Sequence, residues 1–168
     1  RLLSESNSIE LARRSAALLS PFRIRCDRRH DVMSGAAGAL LALLTLHRED
    51  RDPSWLALAS ESGRHLLSAA TMANDGTTSW ASADGRHLAG FAHGAAGIAY
   101  ALSRLYLHTG EDALLDTVRS AHGFERRLFS ESAGNWPIVD ESGNTAHSMI
   151  AWCHGAPGVG LARACLEE

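Results

Sequence analysis

The chain has 168 residues, of which 45% are hydrophobic, and this is enough to build one domain with a sizeable core. Its 16 basic and 19 acidic side chains leave a formal net charge of −3, so charge gives no reason to expect nucleic acid or an anionic membrane as a partner. Aromatic residues make up 6%, while alanine, leucine, glycine and serine dominate. That composition favours closely packed helices over a β-sandwich.

The sequence also gives expectations about the cellular setting of the chain and about a longer polypeptide to which it belongs. No apolar run approaches the roughly 20 residues of a membrane span, and no signal peptide opens the chain. Three widely spaced cysteines, Cys26, Cys153 and Cys165, do not form a disulfide framework, so we expect a reducing, cytoplasmic setting. Because the chain begins at Arg1 and ends at Glu168 within a predicted helix, we expect it to be a piece of a longer polypeptide.

In chain order, amphipathic helices are predicted over residues 8–19, 54–70 and 111–129, each with charges on one side and aliphatic residues on the other. Asn7 followed by Glu10 resembles a capping box for the first helix. Asp52 followed by Pro53 predicts the start of the second helix.

A glycine frame recurs between these helices. Gly-x-x-Gly begins at Gly35, Gly94 and Gly155, about 60 residues apart, and an apolar helical run follows each frame, from Ala39, Ile98 and Val159. These runs are apolar on all sides, as expected of buried inner helices, whereas the amphipathic helices suit an outer layer. Three inner and outer pairs predict an all-α fold, an α/α solenoid or toroid.

Polar residues stand just before each frame, where the inner helices would begin on one rim. They are Asp31, His93 and the pair Cys153–His154. The loops that feed this rim, 72–92 and 130–152, are long, whereas the opposite turns near 47–52 and 108–110 are short, and binding sites usually lie among the long loops. A carboxylate, two imidazoles and a thiol there predict metal-assisted acid–base chemistry. Asp31 is equally suited to being a plain N-terminal cap.

At this point the sequence resembles a known family. The blocks at 31–38 (DVMSGAAG), 93–102 (HGAAGIAYAL) and 152–158 (WCHGAPG) are similar to signature blocks of the lanthionine synthetase C-like family. The stretches 124–129 (FERRLF) and 135–137 (NWP) look like the cyclase domain of class II lanthipeptide synthetases, which are bifunctional dehydratase/cyclase enzymes. The similarity runs from about Asp31 to Arg163.

The resemblance implies a double-layered α/α toroid with one zinc ion near its centre. It implies that cysteine thiols of a precursor peptide add to dehydrated Ser/Thr residues, dehydroalanine or dehydrobutyrine, to close thioether rings. On this mapping Cys153 is a zinc ligand, His93 is the acid/base, Asp31 is its partner, and His154 is a further catalytic candidate. The partners implied are the precursor peptide and a dehydratase domain in the same polypeptide, in the bacterial cytoplasm.

Two departures from the family pattern shape the expectation. The family adds a Cys-His pair from a later Cys-His-Gly block, which does not follow Cys153 here, so two further zinc ligands are expected beyond residue 168. Some members carry Arg where this chain has Met149. We therefore expect residues 1–168 to form an open crescent of about three helix pairs, a partial cyclase domain lacking its C-terminal repeats. Alone it should show little activity and should self-associate.

Two other classes of function remain open. A helical-repeat module that binds peptides without catalysis predicts no zinc. An α/α-barrel carbohydrate-active enzyme needs two carboxylates across a cleft, and Asp75, Asp84, Asp140 and Glu141 lie in the rim loops. Other notable side chains have simpler interpretations, with Cys165 in the core and Trp55, Trp80 and Trp136 as packing anchors.

Overall fold

The computed structural model describes residues 5–139 and 145–166. Within them the chain forms seven helices and two antiparallel hairpins: α1 (Glu5–Ala16), α2 (Pro21–Arg25), α3 (Ala36–Asp50), α4 (Pro53–Ala69), β1 (Thr71–Met72), β2 (Thr78–Ser79), α5 (Ala95–Thr109), α6 (Asp112–Leu128), β3 (Pro137–Val139), β4 (Thr145–Ser148) and α7 (Ala156–Ala164). The predicted all-α class is confirmed, since the strands are short and lie in the two long rim loops.

The helices form two layers. The inner helices α3, α5 and α7 pack side by side, while α4 packs on α3 and α6 packs on α5 in the outer layer. The core between the layers includes the fully buried side chains of Leu40, Leu66, Leu102 and Val118. Burying each of these side chains contributes about 1.5–3 kcal/mol, so the fold rests on the apolar contacts between inner and outer helices.

The turns opposite the rim are short, as predicted. Asp52 caps α4 by accepting a hydrogen bond from the Ser54 amide at 2.8 Å, and Pro53 occupies the first turn. α3 and α5 end at Arg51 and Gly110, both in the left-handed conformation that closes many helices. The outer helices α4 and α6 therefore begin and end within a residue of the predicted bounds.

The N-terminal region differs from the prediction. Asn7 lies inside α1, so the proposed capping box is wrong, and α1 ends at Ala16 rather than at residue 19. The short α2 was not predicted; Ser20 caps it by accepting a hydrogen bond from the Arg23 amide. The two hairpins were not predicted either. In the described part of the chain, no helix is long and apolar enough to cross a membrane.

The inner helices begin earlier than their apolar runs suggested. Each starts directly after the first glycine of its frame, so the second glycine sits in the first helical turn. A Cβ on that second glycine would overlap the carbonyl oxygen six residues earlier, which belongs to Val32, Phe91 or Trp152. Close backbone packing therefore explains the glycines at the helix starts, despite the cost of about 1 kcal/mol that glycine carries inside a helix.

Candidate functional site

The three rim segments are joined by backbone hydrogen bonds at one residue. The carbonyl of Ala92 accepts from the amides of Val32 and Met33 at 3.2 and 3.3 Å, and the Ala92 amide donates to the Cys153 carbonyl at 3.2 Å. Gly90 lets this contact form, since a Cβ there would lie 2.8 Å from the Cys153 oxygen. The starts of α3, α5 and α7 are thereby brought to one rim, where the polar residues singled out in the sequence meet.

His93 and Asp31 form a hydrogen-bonded pair across two repeats. His93 Nδ1 lies 3.0 Å from Asp31 Oδ2, and the two side chains are 47% and 15% exposed. With Asp31 ionised, Nδ1 carries the hydrogen that is donated to the carboxylate, and Nε2 is left for another proton donor or acceptor. This is the arrangement in which a carboxylate orients an imidazole for proton transfer.

Asp31 is held by a second set of bonds from its own turn. Oδ1 accepts from the Ser34 amide at 2.7 Å and from the Ser34 hydroxyl at 3.1 Å. Burial raises the pKa of the Asp31 carboxyl, but the bonds from His93 and Ser34 outweigh it, so the pKa lies below its ordinary 3.8. Asp31 is therefore an anion at neutral pH that both closes the turn before α3 and faces His93.

Cys153 and His154 stand at the mouth of α7. Cys153 is half-buried, and its carbonyl is the one that Ala92 holds. Burial, and then the positive charge of His93, lower the pKa of the His154 imidazole below 6.5, so this ring is neutral near pH 7. The structure thus places His93, Asp31 and His154 around one space, with Cys153 beside it on the same rim.

That space is a cavity of about 420 Å³, within the range of small-molecule and peptide side-chain sites. The polar residues of its lining include Asp31, Ser34, His93 and His154. An apolar part of the lining, called here the apolar wall, comes from the loop before α5, the end of α6 and β3: Trp80, Ala81, Leu88, Ala89, Leu128, Pro137 and Ile138. The cavity therefore joins an acid–base pair to an apolar wall.

Charged groups at the edge of the cavity are mostly neutralised by each other. Arg86 Nε donates to Asp84 Oδ2 at 2.7 Å, and Asp31 is bonded to His93. Arg29 also lines the cavity and is exposed, and it makes no ion pair with any residue that the structure describes. Its positive charge is therefore available to a negative group that enters.

The loop that leads to Cys153 is fastened by two residues that sequence reasoning did not assign to the site. Asn135 is 4% exposed; its Oδ1 accepts from the amides of Trp136 and Ala156 at 2.9 and 2.8 Å, and its Nδ2 donates to the Met149 carbonyl at 3.2 Å. The indole of Trp136 donates to the Glu125 carbonyl at 2.8 Å. Gly155 has no side chain to cap α7, and Asn135 caps the start of this helix instead.

A buried charged cluster lies beneath this loop. Glu125 is fully buried in α6, and its Oε2 lies 3.3 Å from His122 Nδ1 and 3.4 Å from Arg163 Nε of α7. The Arg163 guanidinium stands 5.4 Å from the centre of the Trp136 ring. The sequence signal for this cluster was a carboxylate on the apolar face of an amphipathic helix.

The described residues hold no complete metal site. They contain no group of three or more His, Cys, Asp or Glu side chains that could hold a metal ion. Cys153 supplies one thiol at the rim, Cys165 is buried and Cys26 is exposed. The described part of the chain alone therefore does not fit a zinc site, which needs at least three protein ligands.

The rim carboxylates of the carbohydrate-enzyme hypothesis are engaged elsewhere. Hydrogen bonds from Thr77, together with Arg127, lower the pKa of Asp75 to about 2, and Arg86 and Ser82 hold the pKa of Asp84 well below its usual value. A general acid of a glycosidase requires the opposite shift. Asp140 and Glu141 lie outside the described residues.

Repeated inner and outer helix pairs, with an Asp–His pair at their joined mouths, define an α/α helical-repeat protein whose candidate acid–base site lies on the rim of the inner layer. The chain matches the family model described as lanthionine synthetase C-like protein over residues 1–167. It belongs to the lanthionine synthetase C-like family, so the resemblance seen in the sequence is confirmed at the level of the family.

Proposed function

We propose that this chain is part of a zinc-dependent cyclase that forms (methyl)lanthionine rings by adding cysteine thiols of a precursor peptide to dehydroalanine or dehydrobutyrine. The observation that carries the proposal is the His93–Asp31 pair, 3.0 Å apart beside the cavity, in a chain of this family. The stretches 124–129 and 135–137 support a class II lanthipeptide synthetase as the parent, with a dehydratase in the same polypeptide.

The reaction requires a proton donor next to the reacting residue. The thiolate sulfur bonds to the β-carbon of the dehydro residue, the alkene electron pair moves to the carbonyl oxygen, and the resulting enolate takes a proton at its α-carbon. His93 supplies this proton from its imidazolium form, which Asp31 stabilises from the Nδ1 side. The proton lost by the thiol returns the imidazole to its starting state, so the net reaction is an addition without release of any group.

The enolate also needs a positive charge nearby. Arg29 lines the same cavity and has no ion-pair partner among the described residues, so we assign it to the enolate oxygen. In the intact enzyme Arg29→Ala should lower kcat by about 10- to 100-fold. Arg28→Ala, an exposed neighbour outside the cavity lining, is the matched control and should leave kcat unchanged.

Zinc belongs to the proposal for the intact domain only. When bound it would lower the pKa of the attacking thiol. Cys153 is the ligand we propose from this chain, with the remaining ligands outside it. Cys153→Ala in the intact enzyme should lose about one equivalent of zinc, whereas Cys26→Ala should keep it. Retention of zinc by the Cys153 variant would contradict the assignment, and a native enzyme without zinc would favour a non-catalytic binding module.

The direct test is ring closure by the intact enzyme on a dehydrated precursor peptide. Ring closure leaves the peptide mass unchanged, so unreacted cysteines are counted by alkylation and mass spectrometry. His93→Asn should slow the loss of free thiols by about 100-fold or more. His108→Asn, at the exposed far end of α5, should match the native enzyme. Unchanged ring closure by His93→Asn would refute the acid/base role.

A further inference from the structure

We propose that the cavity beside His93 is a specificity subsite that binds an uncharged, apolar side chain next to the dehydro residue under attack. This inference rests on the proposed function, because it takes the substrate to be a dehydrated peptide. It goes further by naming the kind of residue that should flank the reacting position.

The size of the cavity exceeds what the reacting residue needs. A dehydroalanine or dehydrobutyrine side chain has one or two carbons, whereas the cavity measures about 420 Å³. The remaining space holds either water or another part of the peptide. Consecutive Cα atoms are 3.8 Å apart, so with a dehydro residue at His93 a flanking side chain falls within the same space.

The chemistry of the apolar wall favours an apolar occupant. The wall includes the side chains of Leu88, Leu128 and Ile138. Trp80 is 3% exposed, and its indole N–H is already bonded to the Leu66 carbonyl at 2.8 Å, so it offers only apolar atoms. Water against such a wall lacks hydrogen-bond partners, and its release on binding favours an aliphatic or aromatic group.

The charges around the cavity point the same way. Asp84 is paired with Arg86, and Asp31 with His93, so neither carboxylate is free to attract a cationic side chain. Arg29 is exposed, and its positive charge repels a cation. A cationic flanking side chain would therefore lose its hydration at the wall without gaining a partner there.

The test measures binding without reaction. Fluorescently labelled peptides of about seven residues, with a central dehydroalanine and no cysteine, carry Leu, Gly or Lys beside the dehydroalanine. Their affinity for the intact enzyme is measured by anisotropy. We expect the Leu peptide to bind about 10- to 100-fold more tightly than the Gly peptide, from the burial of one aliphatic side chain. The Lys peptide should bind no better than the Gly peptide.

Two variants place the preference in the cavity. Ala81→Trp fills the space from the wall and should reduce the Leu-over-Gly preference to about twofold or less. Ala113→Trp, the same substitution at an exposed site on α6, should keep the preference in full. Leu88→Asp, which makes the wall polar without filling it, should also abolish the preference and serves if Ala81→Trp fails to fold.

Each outcome decides the proposal. Equal binding of the three peptides, tightest binding of the Lys peptide, or a preference that survives in a folded Ala81→Trp or Leu88→Asp enzyme would overturn it. His93→Asn separates this inference from the proposed function, because it should leave the Leu preference intact. If the native enzyme shows no Leu preference while ring closure depends on His93, the subsite alone is refuted. A preserved preference with ring closure independent of His93 would refute the acid/base role alone.

Discussion

Replacing Asn135 with alanine removes the residue that ties the loop before α7 to the start of that helix. The native side chain makes three hydrogen bonds, to the amides of Trp136 and Ala156 and to the carbonyl of Met149. At about 0.5–1.5 kcal/mol net for each bond, Asn135→Ala should lower the free energy of unfolding by about 1.5–4.5 kcal/mol. The side chain is 4% exposed, so water cannot readily replace it.

Urea denaturation of the 168-residue chain measures this loss through the midpoint at constant slope. Asn74→Ala, at an exposed position with no hydrogen bond from its side chain among the described residues, is the control and should move the midpoint little. Asn135→Asp keeps both acceptor bonds but loses the donor bond and sets a carboxylate against the Met149 carbonyl. Its free energy of unfolding should therefore drop by at least the about 0.5–1.5 kcal/mol of one lost hydrogen bond.

Hydrogen exchange adds a local measurement to the same experiment. The Ala156 amide is bonded to Asn135 Oδ1 at 2.8 Å, so Asn135→Ala should speed exchange at Ala156, while amides in the middle of α5 change only with global stability. A loss below about 0.5 kcal/mol, with unchanged exchange at Ala156, would refute the view that Asn135 holds this part of the rim.

Three further outcomes are expected. Gly155 has φ +81°, and a Cβ there would overlap the Met149 carbonyl oxygen, so Gly155→Ala should lower the free energy of unfolding by about 1–3 kcal/mol in urea melts. A Cβ at Gly160 meets nothing within 4 Å, so the control Gly160→Ala should not destabilise the chain. Equal effects of the two substitutions would contradict the packing argument. The pKa of His154 is lowered in the folded chain, so as the pH falls the unfolded chain takes up the proton first and the folded chain loses stability. His154→Gln removes this group and should lose less stability than the native chain when the pH falls from about 7.5 to about 5.5. Parallel pH profiles of the two proteins would contradict this prediction. Glu125→Gln leaves the Arg163 charge without its partner and should lower the free energy of unfolding by about 2 kcal/mol. This is less than the loss for a fully buried pair, because 34% of the Arg163 side chain is exposed. An unchanged free energy of unfolding would show that the pair does not stabilise the fold.

The repeat architecture was accessible from sequence because it depends on local patterns. Apolar periodicity and the recurring glycine frame placed the inner and outer helices, and the Asp52–Pro53 signal fixed the start of α4. The inner helix starts were placed too late because glycine has a low intrinsic helix propensity. At Gly97 the nearby carbonyl of Phe91 leaves no room for a Cβ, and tertiary packing overrides that propensity.

The site was accessible only in part, for the same physical reason. Asp31 and His93 could be placed on one rim, because each precedes a glycine frame, but their 3.0 Å contact depends on backbone bonds through Ala92 that no local pattern records. The anchoring by Asn135 is likewise a set of long-range bonds, and a buried Glu125 has no signature beyond its place on a helix face. Long-range hydrogen bonds between loops are what the sequence does not display.

The backbone bonds through Ala92 separate the positioning of the helix mouths from the shaping of the cavity. The three helix mouths are held by main-chain bonds, supported by Gly90 and by the side chain of Asn135, so their spacing does not depend on the side chains that form the cavity wall. Side chains of the cavity wall, such as those of Leu88 and Ile138, can therefore change in identity without moving the His93–Asp31 pair. Under the proposed function, such a scaffold would acquire a new peptide preference through its loops while keeping the same acid/base residues.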